Sequence, residues 1–152
     1  MATLHLMVGL PCSGKTTKAK KLEKEYNALV LTPDVWHKKI HGSDAISGSR
    51  DKKHEVIESI MWDHAARVLS LGVDVILDFG FWTKEEREQF RARAKALGVN
   101  FMIHYMDVPV NELYKRLEKR NKNAADRTII IPKEKMDDYI KVFEPPDKDE
   151  LN

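Results

Sequence analysis

Residues Gly9 to Thr16 read Gly-Leu-Pro-Cys-Ser-Gly-Lys-Thr, an unbroken G-x-x-x-x-G-K-[ST] pattern. Nothing else in the chain restricts the fold as much, because this string works only between the end of a strand and the start of a helix. A chance match would arise in roughly one chain in 200 of this length at average composition. The flanks agree with the pattern. Leu4, Leu6, Met7 and Val8 form a short apolar run before Gly9, and a Lys-rich helical stretch from Thr16 to Tyr26 follows. The glycines let the chain turn so that successive backbone N–H groups face a polyphosphate. Lys15 is expected to reach the β- and γ-phosphates, and the Thr16 hydroxyl to ligate Mg²⁺. The nucleotide-binding set is therefore Gly9, Leu10, Pro11, Cys12, Ser13, Gly14, Lys15, Thr16 and Thr17, with ATP and Mg²⁺ as the expected cofactors.

A strand feeding such a loop belongs to a parallel sheet, and the rest of the chain reads that way. Apolar runs at Leu4–Val8, Ala28–Thr32, Val73–Asp78 and Phe101–Met106 alternate with amphipathic stretches, the βαβ pattern of a sheet covered on both faces. Consecutive apolar positions are the mark of buried parallel strands. The predicted fold class is an α/β three-layer domain with a mostly parallel central sheet, spanning all 152 residues as one unit. Thr83 and Glu86 make a capping box, and Gly98 closes that helix, with Phe90, Ala94 and Leu97 on its apolar face. A longer helix, about Asp51 to Leu71, places Ile57, Ile60, Met61, His64, Ala65 and Val68 on one stripe. Val35 to Ile40 also looks helical, while Pro109 and Pro132 open the last two helices. Two stretches lack periodicity, Gly42 to Arg50 and Asn121 to Ile131. The second is read as an arginine-bearing lid over residues 121–131.

Composition then narrows the function classes without excluding nucleic acid. The charged fraction is 33% and the net charge only +2, so affinity resting on a nucleic-acid backbone is not favoured. No apolar run approaches the roughly 20 residues of a membrane helix, and no secretory leader is evident. With Cys12 as the single cysteine, no intramolecular disulfide can form, and a cytoplasmic location is expected. Lys148-Asp149-Glu150-Leu151 looks like a retention signal, but Asn152 follows it.

Phosphoryl transfer needs a positioned nucleophile, a metal, and positive charge around the moving group. Asp34, just past the second strand, is placed to orient and deprotonate an acceptor hydroxyl, or simply to cap the helix after it. Asp78 ends an apolar strand in the manner of a Walker B carboxylate that binds Mg²⁺, or pairs with a Ser or Thr hydroxyl. Arg116, Arg120 and Arg127 follow the fourth strand. Leu113 and Leu117 fix the apolar face of their helix, and Arg120 borders that face while Lys115 and Lys119 point to solvent. These arginines would stabilise charge on the transferred phosphoryl group; the alternative is solvated charges paired with Glu112 or Glu118. The six histidines show no metal-ligand spacing, and His64 and Trp62 read as packed. Trp36 and Trp82 remain candidates for a stacking surface. Cys12, at the start of a helix, is a filler residue or an oxidisable thiol.

With these residues in place, the chain resembles the small P-loop kinases that include zeta toxins, chloramphenicol phosphotransferase and the 5′-kinase domain of phage polynucleotide kinase. The shared marks are Gly9–Thr16, Asp34, Asp78 and the paired Arg116 and Arg120. Asp78–Arg87 and Phe143–Pro146 are also similar to segments of short bacterial AAA-type ATP-binding proteins. The resemblance implies that Asp34 acts as general base and that the arginines contact the triphosphate. It does not carry the acceptor. Polynucleotide kinases place an arginine three or four residues after the base, where this chain has His37 and Lys38. The expected activity is transfer of the γ-phosphoryl group to a hydroxyl of a small molecule, by a monomer or small homo-oligomer. A 5′-hydroxyl polynucleotide kinase and a non-catalytic nucleotide-binding module are the alternatives.

Overall fold

The computed structural model describes residues 1–42, 52–123 and 130–151. Four strands, β1 (Thr3–Val8), β2 (Leu29–Leu31), β3 (Val75–Gly80) and β4 (Asn100–Tyr105), form one sheet in the order β2-β3-β1-β4. Every pairing is parallel. The helices are α1 (Lys15–Tyr26), α2 (Pro33–His41), α3 (Lys52–Ser70), α4 (Lys84–Leu97), α5 (Val110–Lys122), α6 (Lys133–Val142) and the short α7 (Lys148–Leu151).

Alternation along β1 sorts the core into layers. Leu4, Leu6 and Val8 join Val75 and Leu77 on one face, against Ile57, Met61, Ala65 and Leu69 of α3 and Phe90 and Ala94 of α4. Met7 and Ile76 point the other way, onto Ala19 and Leu22 of α1. A third cluster gathers Leu10, Trp82, Leu113, Leu117, Ile131, Met136 and Tyr139, so α5 and α6 pack on the loops rather than on the sheet. Chain order makes the site. The chain leaves β1 towards β2, and leaves β3 past β1 towards β4. The crevice therefore opens at the carboxyl ends of β1 and β3, as it does at a switch point in open α/β sheets.

The structure corrects several expectations. Only β1 and β3 are buried at all but one residue each; β2 is a three-residue edge strand and β4, at the opposite edge, is only half-buried. The buried stripe of α3 is His54, Ile57, Met61, Ala65 and Leu69, while Ile60 and His64 are exposed. The reason is a second neighbour. Helix α2 packs against the start of α3, with the His37 ring 5.7 Å from that of His54, and this turns the inward face of α3. Leu97 is exposed, and the inward face of α4 begins instead with Arg87. Pro109 and Pro132 stand one residue before their helices, at the cap positions. Thr83 does cap α4, its hydroxyl accepting from the Glu86 amide at 3.2 Å, and Gly98 closes that helix at φ 71°. The retention-like tetrapeptide is α7, with Glu150 buried. Among the described residues no helix is long and apolar enough to cross a membrane.

Candidate functional site

The phosphate loop leaves β1 through a register irregularity between Leu6 and Val8. Its first amide, Gly9 N, donates to the Gly80 carbonyl at 3.1 Å, which ties the loop to the end of β3. Two residues then take left-handed backbone, Cys12 at φ 71° and Gly14 at φ 92°. Glycine does this freely, whereas for Cys12 it costs about 1–2 kcal/mol. Strain at such a position is the mark of a loop shaped for a ligand. Gly14 caps α1 without any side-chain hydrogen bond, and the first turn carries no acidic residue. The helix thus presents its amides and positive dipole end with no built-in anion.

Thr16 and Asp78 form the centre of the site. Thr16 Oγ1 donates to Asp78 Oδ2 at 2.8 Å, and Thr32 Oγ1 reaches the same oxygen at 3.3 Å. The hydroxyl-pairing reading of Asp78 is thus seen directly, at a carboxylate beside the phosphate loop. Asp78 is only 6% exposed, and its Oδ1 has no hydrogen-bond partner among the described residues. A buried carboxylate oxygen without a partner next to a hydroxyl is an all-oxygen donor set of the kind Mg²⁺ takes. These residues fit the ion.

Three cations share the cleft. Lys15 Nζ donates to the Leu10 carbonyl at 3.2 Å, folded along the loop. Arg116 pairs with Glu112 at 3.2 Å, as the solvated-charge reading required, yet its Nη1 also donates to the Cys12 carbonyl at 3.2 Å. Arg120 Nη1 lies 3.8 Å from Cys12 Sγ. Both arginines thus grip the strained residue of the loop from α5. Arg127 lies outside the described residues, as does most of the lid expected over 121–131. The ends of that stretch are joined, with Asn121 Nδ2 donating to the Ile131 carbonyl at 2.9 Å.

Asp34 is not the helix cap. Thr32 holds that position, Pro33 opens α2, and Asp34 sits in its first turn, facing the cleft. Opposite it, burial and the nearby Asp34 and Asp138 charges raise the Tyr139 hydroxyl above its ordinary pKa, which keeps it protonated. The cleft has a volume of about 590 Å³. It brings together Pro11–Thr17 except the buried Ser13, with Asp34, Asp78, Arg116 and Arg120. Leu10 and Gly9 lie behind it, Leu10 in the α5–α6 cluster. Of the candidate stacking residues, Trp82 lines the cleft but is 5% exposed, and Trp36 lies outside it. Trp62 packs edge-on against Phe90 at 5.4 Å. Sequence reasoning missed Thr32 and His54, both on the cleft wall. Thr32 was detectable as the hydroxyl two residues before Asp34, whereas His54 lies inward only because α3 is turned.

A family model described as an AAA domain matches residues 4–146. Among solved structures, the chain is similar to one in the Pnkp1/Rnl/Hen1 RNA repair complex, with TM-score 0.76 and 22% identity over 93% of this chain. It spans less than half of that neighbour, 43% of its length. It is also similar to Chaetomium thermophilum Kti12 in complex with ADP-AlF3, with TM-score 0.74, 20% identity, and 95% of this chain and 81% of that one covered. A sugar kinase from Janibacter sp. HTCC2649 gives TM-score 0.70 and 17% identity over 99% of this chain and 82% of its own. At these identities the likeness is one of fold. No curated protein matches the chain.

Proposed function

The chain belongs to this AAA-domain family, and on that premise we propose that it is an ATP- and Mg²⁺-dependent phosphotransferase acting on a hydroxyl of a small molecule. The observation that carries the reading is that Asp34 shares one cleft with the phosphate loop, the Thr16–Asp78 pair and two arginines. A nucleotide switch needs the loop and the metal site, but not a further carboxylate facing the same cleft from the first turn of α2.

The loop amides and Lys15 hold the β- and γ-phosphates, and the dipole of α1 adds to their pull. Thr16 and Asp78 would hold Mg²⁺, which supplies charge neutralisation between the phosphates. Asp34 accepts the acceptor's proton as the hydroxyl oxygen bonds to the γ-phosphorus and the bond to the ADP oxygen breaks. Arg116 and Arg120, with Arg127 as a third candidate, neutralise the charge that spreads over the transferred group. A reducing, cytoplasmic setting suits the single thiol at Cys12.

The test is a transfer assay with γ-labelled ATP across sugars, nucleosides, antibiotics and 5′-hydroxyl oligonucleotides. A labelled small molecule is expected, with Asp34→Asn lowering turnover at least a hundredfold while ATP affinity stays within a few-fold. Near-wild-type turnover of Asp34→Asn would remove the base assignment. Labelling of the oligonucleotide alone would replace the small-molecule acceptor with a polynucleotide. ATP binding with no product from any acceptor would leave only a switch.

A further inference from the structure

Residues 143–151 lie outside the cleft, yet a chain of hydrogen bonds runs from them to the first residue of the phosphate loop. Arg87 and Glu150 form a buried, two-pronged pair, Nε to Oε1 at 2.7 Å and Nη2 to Oε2 at 3.3 Å. The remaining prong of the guanidinium, Nη1, donates to the Phe81 carbonyl at 2.9 Å. Phe81 is fully buried and takes left-handed backbone, φ 46°, a conformation a phenylalanine holds only when its surroundings impose it. Its neighbour Trp82 is fixed from the same side, because the Glu144 amide donates to the Trp82 carbonyl at 2.7 Å. Glu144 Oε2 in turn accepts from the Lys84 amide at 3.1 Å.

The other end of Trp82 meets the loop. Its indole Nε1 donates to the Gly9 carbonyl at 3.2 Å, so Gly9 is held on both sides, by Gly80 through its amide and by Trp82 through its carbonyl. The approach depends on Gly80. A Cβ there would lie 3.0 Å from Trp82 Nε1 and 3.4 Å from the Gly9 oxygen, at φ 92°.

We infer that Trp82 is a positioning residue for the phosphate loop, and that the segment 143–151 acts as a clasp that holds it there through the Arg87–Glu150 pair. The inference rests on the reading that this loop holds the phosphates of ATP. The clasp sets the angle at which the loop leaves β1, and hence the alignment of its amides.

The experiment is binding of a fluorescent N-methylanthraniloyl-ATP to the full chain, at a temperature where circular dichroism shows every variant folded. Trp82→Phe keeps an aromatic ring, though a smaller one, and removes the donor, and is expected to weaken binding about threefold to tenfold. Glu150→Gln is expected to weaken binding in the same direction, and the double variant no more than the worse single one. Lys84→Met, which breaks only the exposed Lys84–Asp147 pair on the same segment, leaves affinity unchanged. A purely structural role predicts lowered melting temperatures with wild-type affinity, and that result for Trp82→Phe overturns the inference even if Glu150→Gln fails to fold. Strictly additive losses would also overturn it. Failure of the wild-type chain to bind the analogue would instead defeat the nucleotide-binding reading on which the inference stands.

Discussion

A methyl group at Gly9 would lie 2.6 Å from Ser13 Oγ and 3.2 Å from the Met106 Cβ. The Ser13 hydroxyl can turn aside, but the Met106 Cβ and, at 3.4 Å, its carbonyl oxygen, just past β4, move only with the backbone. Gly9→Ala is therefore expected to cost about 1–3 kcal/mol of stability, as overpacking does, and to weaken ATP binding at least tenfold. Thermal denaturation with and without nucleotide measures both. Thr16 gives a sharper case. Its hydroxyl carries one proton and two lone pairs, so it can donate to Asp78 and accept a cation at once. Thr16→Ser should retain most activity, and Thr16→Ala should lose Mg²⁺-dependent turnover; equal activity in both would show that the hydroxyl is not a ligand. These residue-level features were legible because the loop pattern specifies backbone shape as well as side chains. That Thr32 rather than Asp34 caps α2 was not legible, since both are favoured cap residues and only Pro33 at the first helical position separates them.

Elements obey pairing rules that no local window contains. Arg87 belongs to the inward face of α4 because Glu150, 63 positions later, meets it there. Helical periodicity around Arg87 predicts only a charge at the helix start. The pair also holds the Glu150 carboxyl below its usual range: burial pushes it up, but the Arg87 guanidinium and the Asp147 amide outweigh that. Glu150→Ala leaves a guanidinium buried without its partner and is expected to cost about 3 kcal/mol or more, against much less for Glu150→Gln. Chemical denaturation of the two variants checks the ranking. On the opposite face, β1, β4 and Asp74, the residue before β3, meet through another polar chain. His5 bonds to His104 at 2.9 Å and to Asp74 at 3.0 Å, beside the Tyr26 ring of α1. Burial, then the His5 and Lys18 charges, lowers the His104 pKa from 6.5 to about 4. Between those values the unfolded chain binds a proton that the folded chain does not. Stability is therefore full above pH 6.5 and is lost as the pH falls towards about 4. His104→Asn should flatten the pH dependence of the denaturation midpoint within that window, and an unchanged slope would assign the loss to other groups. Nothing in the apolar strand runs marks this network, because a histidine in a strand reads the same whether it faces water or another histidine.

At the scale of the molecule, the alternation of apolar runs and helices carried the parallel sheet, and the covered faces followed from it. Strand order did not come with it. The edge positions of β2 and β4 leave β1 and β3 as the most buried strands, and the order is set by long-range packing. ATP held in the cleft as proposed would draw its contacts from elements on several sides of it, and so should stabilise the whole fold. At a hundredfold excess over Kd the gain is about 2.7 kcal/mol, and a melting temperature that does not rise with ATP would contradict a preformed site. The small cluster under α5 and α6 has a further consequence. Leu113, Leu117, Met136 and Tyr139 pack on Leu10 and Trp82, apart from the layers that sandwich the sheet. A unit with its own few apolar contacts opens without the rest, at a lower free energy than global unfolding. Amide protons of Leu113 to Arg120 should therefore exchange with deuterium faster than those of β1 and β3, and slow sharply once nucleotide is bound. The arginines assigned to neutralise the phosphates would then be borrowed from the least protected part of the protein, and the ligand itself would complete their folding.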